Sequence, residues 1–185
     1  MIVNVEENRK ETADALARFV PNLIVTHPLA PEDNLALYRQ IGSAFGKERE
    51  ALVLCKKFEK AFLEAKAKTY PERNVLYLIW KDPWMTVSRD TYISRTLALF
   101  GMRTVPERSE VRYPKLKALG IAGVDLILLS TEPYRFRDSH VNAIRDETGK
   151  PARLVDGEMT SWYGPRAIAG LAYLAELAAS LQDGT

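Results

Sequence analysis

Two short runs, VLYLIW (Val75–Trp80) and VDLILLS (Val124–Ser130), are apolar at nearly every position. A strand covered on one face alternates apolar with polar residues, whereas a strand covered on both faces does not need to. Runs of this length, bounded by turn-forming residues, predict central strands of a largely parallel sheet with helices on both sides. ARLVD, ending at Asp156, adds a third strand. The stretches between supply helices: one from about Asp90 to Phe100, stopped by Gly101, and one running up to Gly149. The last helix takes Pro165 in its first turn and carries Ile168, Leu171, Leu174, Leu177 and Leu181 as its apolar stripe.

The first part of the chain repeats the alternation on a smaller scale. MIVNV reads as a strand, Lys10 to Phe19 as a helix and NLIVTH as a second strand. A second helix follows, with Pro31 near its start and Gly46 as its stop. Two strands cannot cover their own faces, so this unit is a fragment of a sheet. Lys47 to about Lys68 then runs without Gly or Pro. Leu52, Cys55, Phe58, Phe62 and Ala65 recur at helical spacing. At 1.5 Å per residue this helix spans about 33 Å. It is either a rigid spacer between two lobes or one more helix packed on a single sheet. The expected architecture is α/β: a Rossmann-like three-layer C-terminal lobe over residues 71–185. A backbone helix over 47–70 joins it to a partial N-terminal α/β lobe over 1–46.

Composition excludes several functions. The 185 residues carry a net charge of +2 with both signs interspersed, so no basic stripe argues for nucleic acid. Cys55 is the only cysteine, which rules out an intramolecular disulfide and a thiolate metal cluster. No apolar run approaches the roughly 20 residues of a membrane helix. Acidic VEENRKE follows the first residues directly, so the chain as written has no signal peptide and is expected in the cytoplasm. A truncated N-terminus would make it periplasmic or membrane-associated. GSAFGKE superficially resembles a phosphate loop, but it follows a helix and lacks a hydroxyl residue after Lys47. Neither a nucleophile elbow nor a dinucleotide fingerprint is present. His140 sits among polar residues, and His27 ends a strand, either facing a cleft or serving the structure.

Three loops at the carboxyl ends of predicted strands carry the unusual residues. They hold Asp82, Pro83, Trp84 and Met85; Glu132, Pro133 and Tyr134; and Asp156 to Tyr163 with Trp162. Ligands of open parallel sheets bind at this edge. The aromatics therefore either wall a ligand cleft or cap the sheet end. Asp82, Glu132, Asp156 and Glu158 have no histidine or cysteine set beside them, which favours binding over catalysis and predicts no enzyme and no cofactor.

DPWMTVSRDTYI, VRYPKL, VDLILLSTEPYRF and LVDGEMTSWYG, in this order, resemble the C-terminal lobe of cobalamin-type substrate-binding proteins, the helical-backbone (class III) receptors of ABC transporters. VNVEENRKE and IVTHP resemble the end of their N-terminal lobe, most of which is lacking. The resemblance implies non-catalytic binding of cobalamin or a related corrinoid between two lobes, with an iron–siderophore or haem as the alternative. Arg89, Arg112 and Arg135 keep the siderophore open. It matches Trp84, Tyr113 (before Pro114), Asp156 and Trp162 to ligand-facing positions; Glu132 and Tyr134 follow from their loop. It also implies a transporter permease as partner, although Leu119 occupies the position of the C-lobe docking acid. A chain lacking half the ligand wall has a second expected role, as a homodimeric interaction module that has lost ligand binding, with residues 1–46 supplying much of the contact.

Overall fold

The computed structural model describes residues 1–182. Its elements run β1 (Ile2–Asn4), α1 (Lys10–Ala17), β2 (Ile24–Thr26), α2 (Asp33–Ala44) and α3 (Glu48–Ala67). β3 (Arg73–Trp80), β4 (Met85–Thr86), α4 (Tyr92–Ala98), β5 (Met102–Thr104) and β6 (Leu126–Ser130) follow. The chain closes with α5 (Asp138–Thr148), β7 (Ala152–Val155), α6 (Gly157–Ser161) and α7 (Arg166–Ser180).

The continuous apolar runs are explained by the larger sheet. β3 pairs in parallel with β6 and β5, β6 in parallel with β7, and β4 turns back antiparallel on the end of β3. Side chains alternate across a strand. Val75, Tyr77 and Ile79 with Leu126 and Leu128 enter one core, shared with α3, α4 and α7. Leu76 and Leu78 with Ile127 and Leu129 enter a second, shared with Val141 and Ile144 of α5. The sheet is thus buried on both faces between helical layers.

α3 settles against the sheet side. Its stripe of Ala51, Cys55, Phe58 and Ala65 is buried, and Tyr38 of α2 joins the same core. Full burial of a side chain like Phe58 contributes about 2 kcal/mol. Leu52, expected on the buried stripe, is exposed with Val53 and Leu63 on the outer face. The three segments expected from the sequence are therefore joined by one core at α2 and α3. β1 and β2 pair in parallel only with each other among the described residues, and Ile2, Phe19 and Val25 remain exposed.

The sequence reading did not include β4, β5 and α6. All three are five residues or shorter, and two fall in segments read as loops.

Candidate functional site

A cleft of about 730 Å³ opens at the carboxyl ends of both sheets. Strand direction decides this position: the side chains after β1, β2, β3, β6 and β7 all emerge at the same edge. Asn4, Glu6, Glu7 and Pro28 form the N-terminal wall. Ile79, Trp80 and Met85, at the β3–β4 end, form the floor with Tyr92 and Ile93 from the start of α4. Tyr113, Glu132, Pro133, Ser161, Trp162 and Tyr163 complete the opposite wall.

The conspicuous Trp162 and Tyr163 have their explanation here. α6 is a single turn whose C-terminal boundary is Trp162, so the indole projects from its end and stays half exposed, at 49%. Its Nε1 donates to Glu132 Oε2 at 3.2 Å, and the Arg166 guanidinium lies 5.5 Å from its ring centroid. Tyr163 meets Tyr92 edge-on at 5.8 Å.

A polar clasp crosses the mouth. Glu6 Oε2 accepts from the Tyr113 hydroxyl at 2.9 Å. Arg112 Nη1 lies 2.5 Å from Glu6 Oε1 and 2.6 Å from His27 Nε2, so one guanidinium nitrogen serves a carboxylate and an imidazole. Burial pushes the Glu6 carboxyl up, but hydrogen bonds from Tyr113, His27 and Arg112 outweigh it and hold it below its ordinary value. Burial, and then the Glu6 carboxylate, push the Tyr113 phenol up, so it stays protonated.

At the opposite end of the cleft lies a buried tie. Asn34 is fully buried; its Nδ2 donates to Pro31 O at 2.8 Å and to the Tyr92 hydroxyl at 3.0 Å. Its Oδ1 accepts from Gly164 N at 2.7 Å, and the Tyr38 hydroxyl donates to Gly164 O at 2.8 Å.

Of the six residues expected to face a ligand, Tyr113, Glu132 and Trp162 line the cleft. Trp84, Tyr134 and Asp156 do not, each for a local reason. Trp84 ends the turn that leads into β4 and Met85 opens the strand, and the two side chains go to different places. Met85 takes the cleft, and Trp84 stacks on buried Phe136 at 6.2 Å and 7°. Tyr134 sits behind the wall, edge-on to Trp80 at 5.5 Å and tilted on Phe136 at 4.6 Å. The Asp156 carboxylate caps α6, accepting from Met159 N at 3.2 Å. Trp80, the last residue of its strand, was missed; the signal was an aromatic at the carboxyl end of an otherwise buried run. Asn4, Glu6 and Glu7 were missed because only the fold brings β1 to this edge.

His27, His140 and Arg89, also singled out in the sequence, have partners of their own. His27 belongs to the clasp, and His140 packs edge-on against Tyr134 and Phe136. Arg89 pairs with Glu107 at 3.0 Å, and Leu119 packs against the second core. No cluster of three or more metal-ligating side chains occurs among the described residues.

No protein-family model matches the chain, and no curated protein matches it in sequence. Solved structures do match. The periplasmic vitamin B12 binding protein BtuF of Vibrio cholerae superimposes with a TM-score of 0.76 at 11% identity, over 98% of this chain and 74% of its own. The periplasmic heme-binding protein RhuT from Roseiflexus sp. RS-1 gives 0.77 at 20% identity, over 98% and 74%. An ABC transporter substrate-binding protein from Listeria monocytogenes EGD-e gives 0.69 at 17% identity, over 97% and 76%. The chain has the α/β fold of class III periplasmic binding proteins.

Proposed function

We propose that the chain is a non-catalytic solute-binding protein that holds cobalamin or a related corrinoid in this cleft, as the binding component of an ABC-type uptake system. The observation that carries the reading is the cleft: about 730 Å³, walled by Trp80, Tyr92, Tyr113, Trp162 and Tyr163 with a few polar anchors. Bulky ligands are held by such a combination of apolar area and sparse hydrogen-bonding groups. In this reading Tyr113, Glu132 and Trp162 contact the ligand, while Trp84, Tyr134 and Asp156 hold the wall in place. Haem or a ferric siderophore is the alternative ligand, supported by the heme-binding neighbour. The periplasmic neighbours support a periplasmic address over the cytoplasmic one expected from the first residues. No helix among the described residues is long and apolar enough to cross a membrane.

Titration with cobalamin and separately with haem, followed by tryptophan fluorescence and ligand absorbance, tests this. Trp80 and Trp162 are 40% and 49% exposed, so cobalamin is expected to quench them saturably. Trp162→Ala is expected to weaken binding by about 30-fold, the usual cost of an aromatic anchor. Quenching by haem but not by cobalamin would move the assignment to haem. No saturable response to either would refute the binding reading.

A second reading rests on the unpaired edges of β1 and β2 and on Ile2, Phe19 and Val25 beside them. Exposed strand edges with apolar neighbours favour pairing with a second copy. Light scattering at micromolar concentration tests it: a dimer, reduced to monomer by Phe19→Asp, is expected, and a monodisperse wild-type monomer excludes it.

A further inference from the structure

We infer that the cleft selects cationic or neutral macrocycles over anionic ones, through Glu7 and Glu132 set in a wall that also holds Trp80 and Trp162. The inference rests on the proposed ligand-binding role of the cleft and narrows it to a charge class.

Three carboxylates line the cleft, and no Lys, Arg or His is among the described residues that line it. The cations that touch the wall are themselves matched. Arg112 contacts Glu6 at 2.5 Å, and Arg166 pairs with Glu158 at 2.8 Å. Pairing with Arg112 cancels the charge of Glu6, leaving two acids without a counter-ion. Glu132 accepts from a neutral donor, the Trp162 indole, and Glu7 has no ion pair among the described residues. The Trp80 ring adds to this preference, because an aromatic quadrupole attracts cations. Trp162 already receives the Arg166 guanidinium, 5.5 Å from its centroid. A ligand anion a few ångströms from a carboxylate in a half-open cleft loses on the order of tenfold in affinity per charge pair, and a cation gains a similar factor. The propionates of haem and the charge of a tri-anionic ferric siderophore fall on the wrong side of this balance. A corrinoid with amide arms and a cationic metal centre falls on the right side.

Two porphyrins with the same ring isolate charge from shape: tetrakis(N-methylpyridinium-4-yl)porphyrin and tetrakis(4-sulfonatophenyl)porphyrin, both metal-free. Diaquocobinamide, a cationic corrinoid, is the competitor. At low salt the cationic porphyrin is expected to bind at least tenfold tighter than the sulfonated one, to be displaced by diaquocobinamide, and to lose its advantage as salt rises. The net charge of the chain, +2, works against this preference, so the preference reports the cleft. Glu132→Gln keeps the acceptor for Trp162 and is expected to lower the ratio three- to tenfold; Glu7→Gln, on an exposed loop, is expected to do the same. Equal or tighter binding of the sulfonated porphyrin, or a ratio unmoved by both substitutions, overturns the inference and leaves the cleft reading standing. Binding of neither porphyrin nor diaquocobinamide overturns both.

Discussion

Replacing Asn34 by Leu tests what holds the two sides of the cleft at their buried end. The side chains are similar in size, so little cavity forms and the change is mainly one of polarity. Three partners lose their bonds: Pro31 O at 2.8 Å, the Tyr92 hydroxyl at 3.0 Å and Gly164 N at 2.7 Å. A buried polar group left without a partner costs about 1–3 kcal/mol. The Tyr92 hydroxyl and Gly164 N–H are the severe losses, because Pro31 O is an acceptor at a helix start. The expected loss is therefore about 3–4 kcal/mol, a large part of the 5–15 kcal/mol that stabilises a typical domain. For a chain of this size it corresponds to a fall in Tm of roughly 6–16 °C. Urea and thermal unfolding measure it, with Arg39→Gln on the same helix but half exposed as the reference. Tyr92 and Tyr163 line the cleft next to these bonds, so affinity for the cobalamin probe is expected to fall as well. A loss below about 1 kcal/mol, with unchanged affinity, would refute the assignment of Asn34 as the tie.

Three further outcomes are expected. The folded Glu6 carboxyl sits below its ordinary value of 4.5, so the stability it contributes is present above that pH and is lost as pH falls below it. Because the pair is partly exposed the amount is about 0.5–1 kcal/mol, and urea midpoints from pH 6 to pH 3 should converge for wild type and Glu6→Gln; parallel curves would exclude the clasp. Trp84→Ala removes a stacked partner of Phe136 and should cost about 2–3 kcal/mol while changing cobalamin affinity less than twofold, which unfolding and fluorescence titration separate. A Cβ at Gly170 runs into the Met159 carbonyl, so Gly170→Ala should lower stability by about 1–3 kcal/mol, measured by thermal unfolding, as α7 is forced off α6.

The strands and helices that bury whole faces were legible in the sequence, because period and composition report burial directly. VLYLIW and VDLILLS lie within or across β3 and β6, and Lys47–Lys68 brackets α3 to within a residue at each end. Finer points depended on contacts that period does not encode. Leu52 fits the helical stripe as well as Ala51 does, yet Gly42 of α2 leaves room only for the smaller residue at that crossing, and Leu52 is turned outward. In the site, the aromatic loops announced an edge but not which rings face it. Trp84 lies in the turn before β4 and Met85 opens that two-residue strand, and no periodicity can be read from so short an element. Asp156 carried an available signal, since an acid followed by a helical turn is an N-cap as readily as a ligand anchor. Glu6 lay beyond reach, because its partners Arg112 and Tyr113 are more than 100 residues away in sequence.

The two ties across the cleft differ in a way that bears on how a ligand enters. Asn34 and Tyr38 are buried and bonded to the same residue, Gly164, from both its N–H and its carbonyl. Glu6 and Arg112 keep 22% and 32% of their side-chain surface in water. Buried neutral bonds resist opening, since water does not replace a lost partner until the site itself opens. An exposed ion pair that opens is rehydrated at once, and its net worth is about 1 kcal/mol or less. The clasp is thus the weaker of the two by several-fold, and it lies at the mouth, where Glu6 and Tyr113 are themselves part of the wall. Separation at the clasp, with the buried end held, widens the mouth without disturbing the floor of Ile79 and Trp80. Loosening the clasp with an Arg112→Lys variant, which keeps the charge but loses the shared guanidinium geometry, is expected to raise both the association and dissociation rates of cobalamin in stopped-flow fluorescence and to leave their ratio within about threefold. A changed ratio with an unchanged association rate would place entry elsewhere on the molecule.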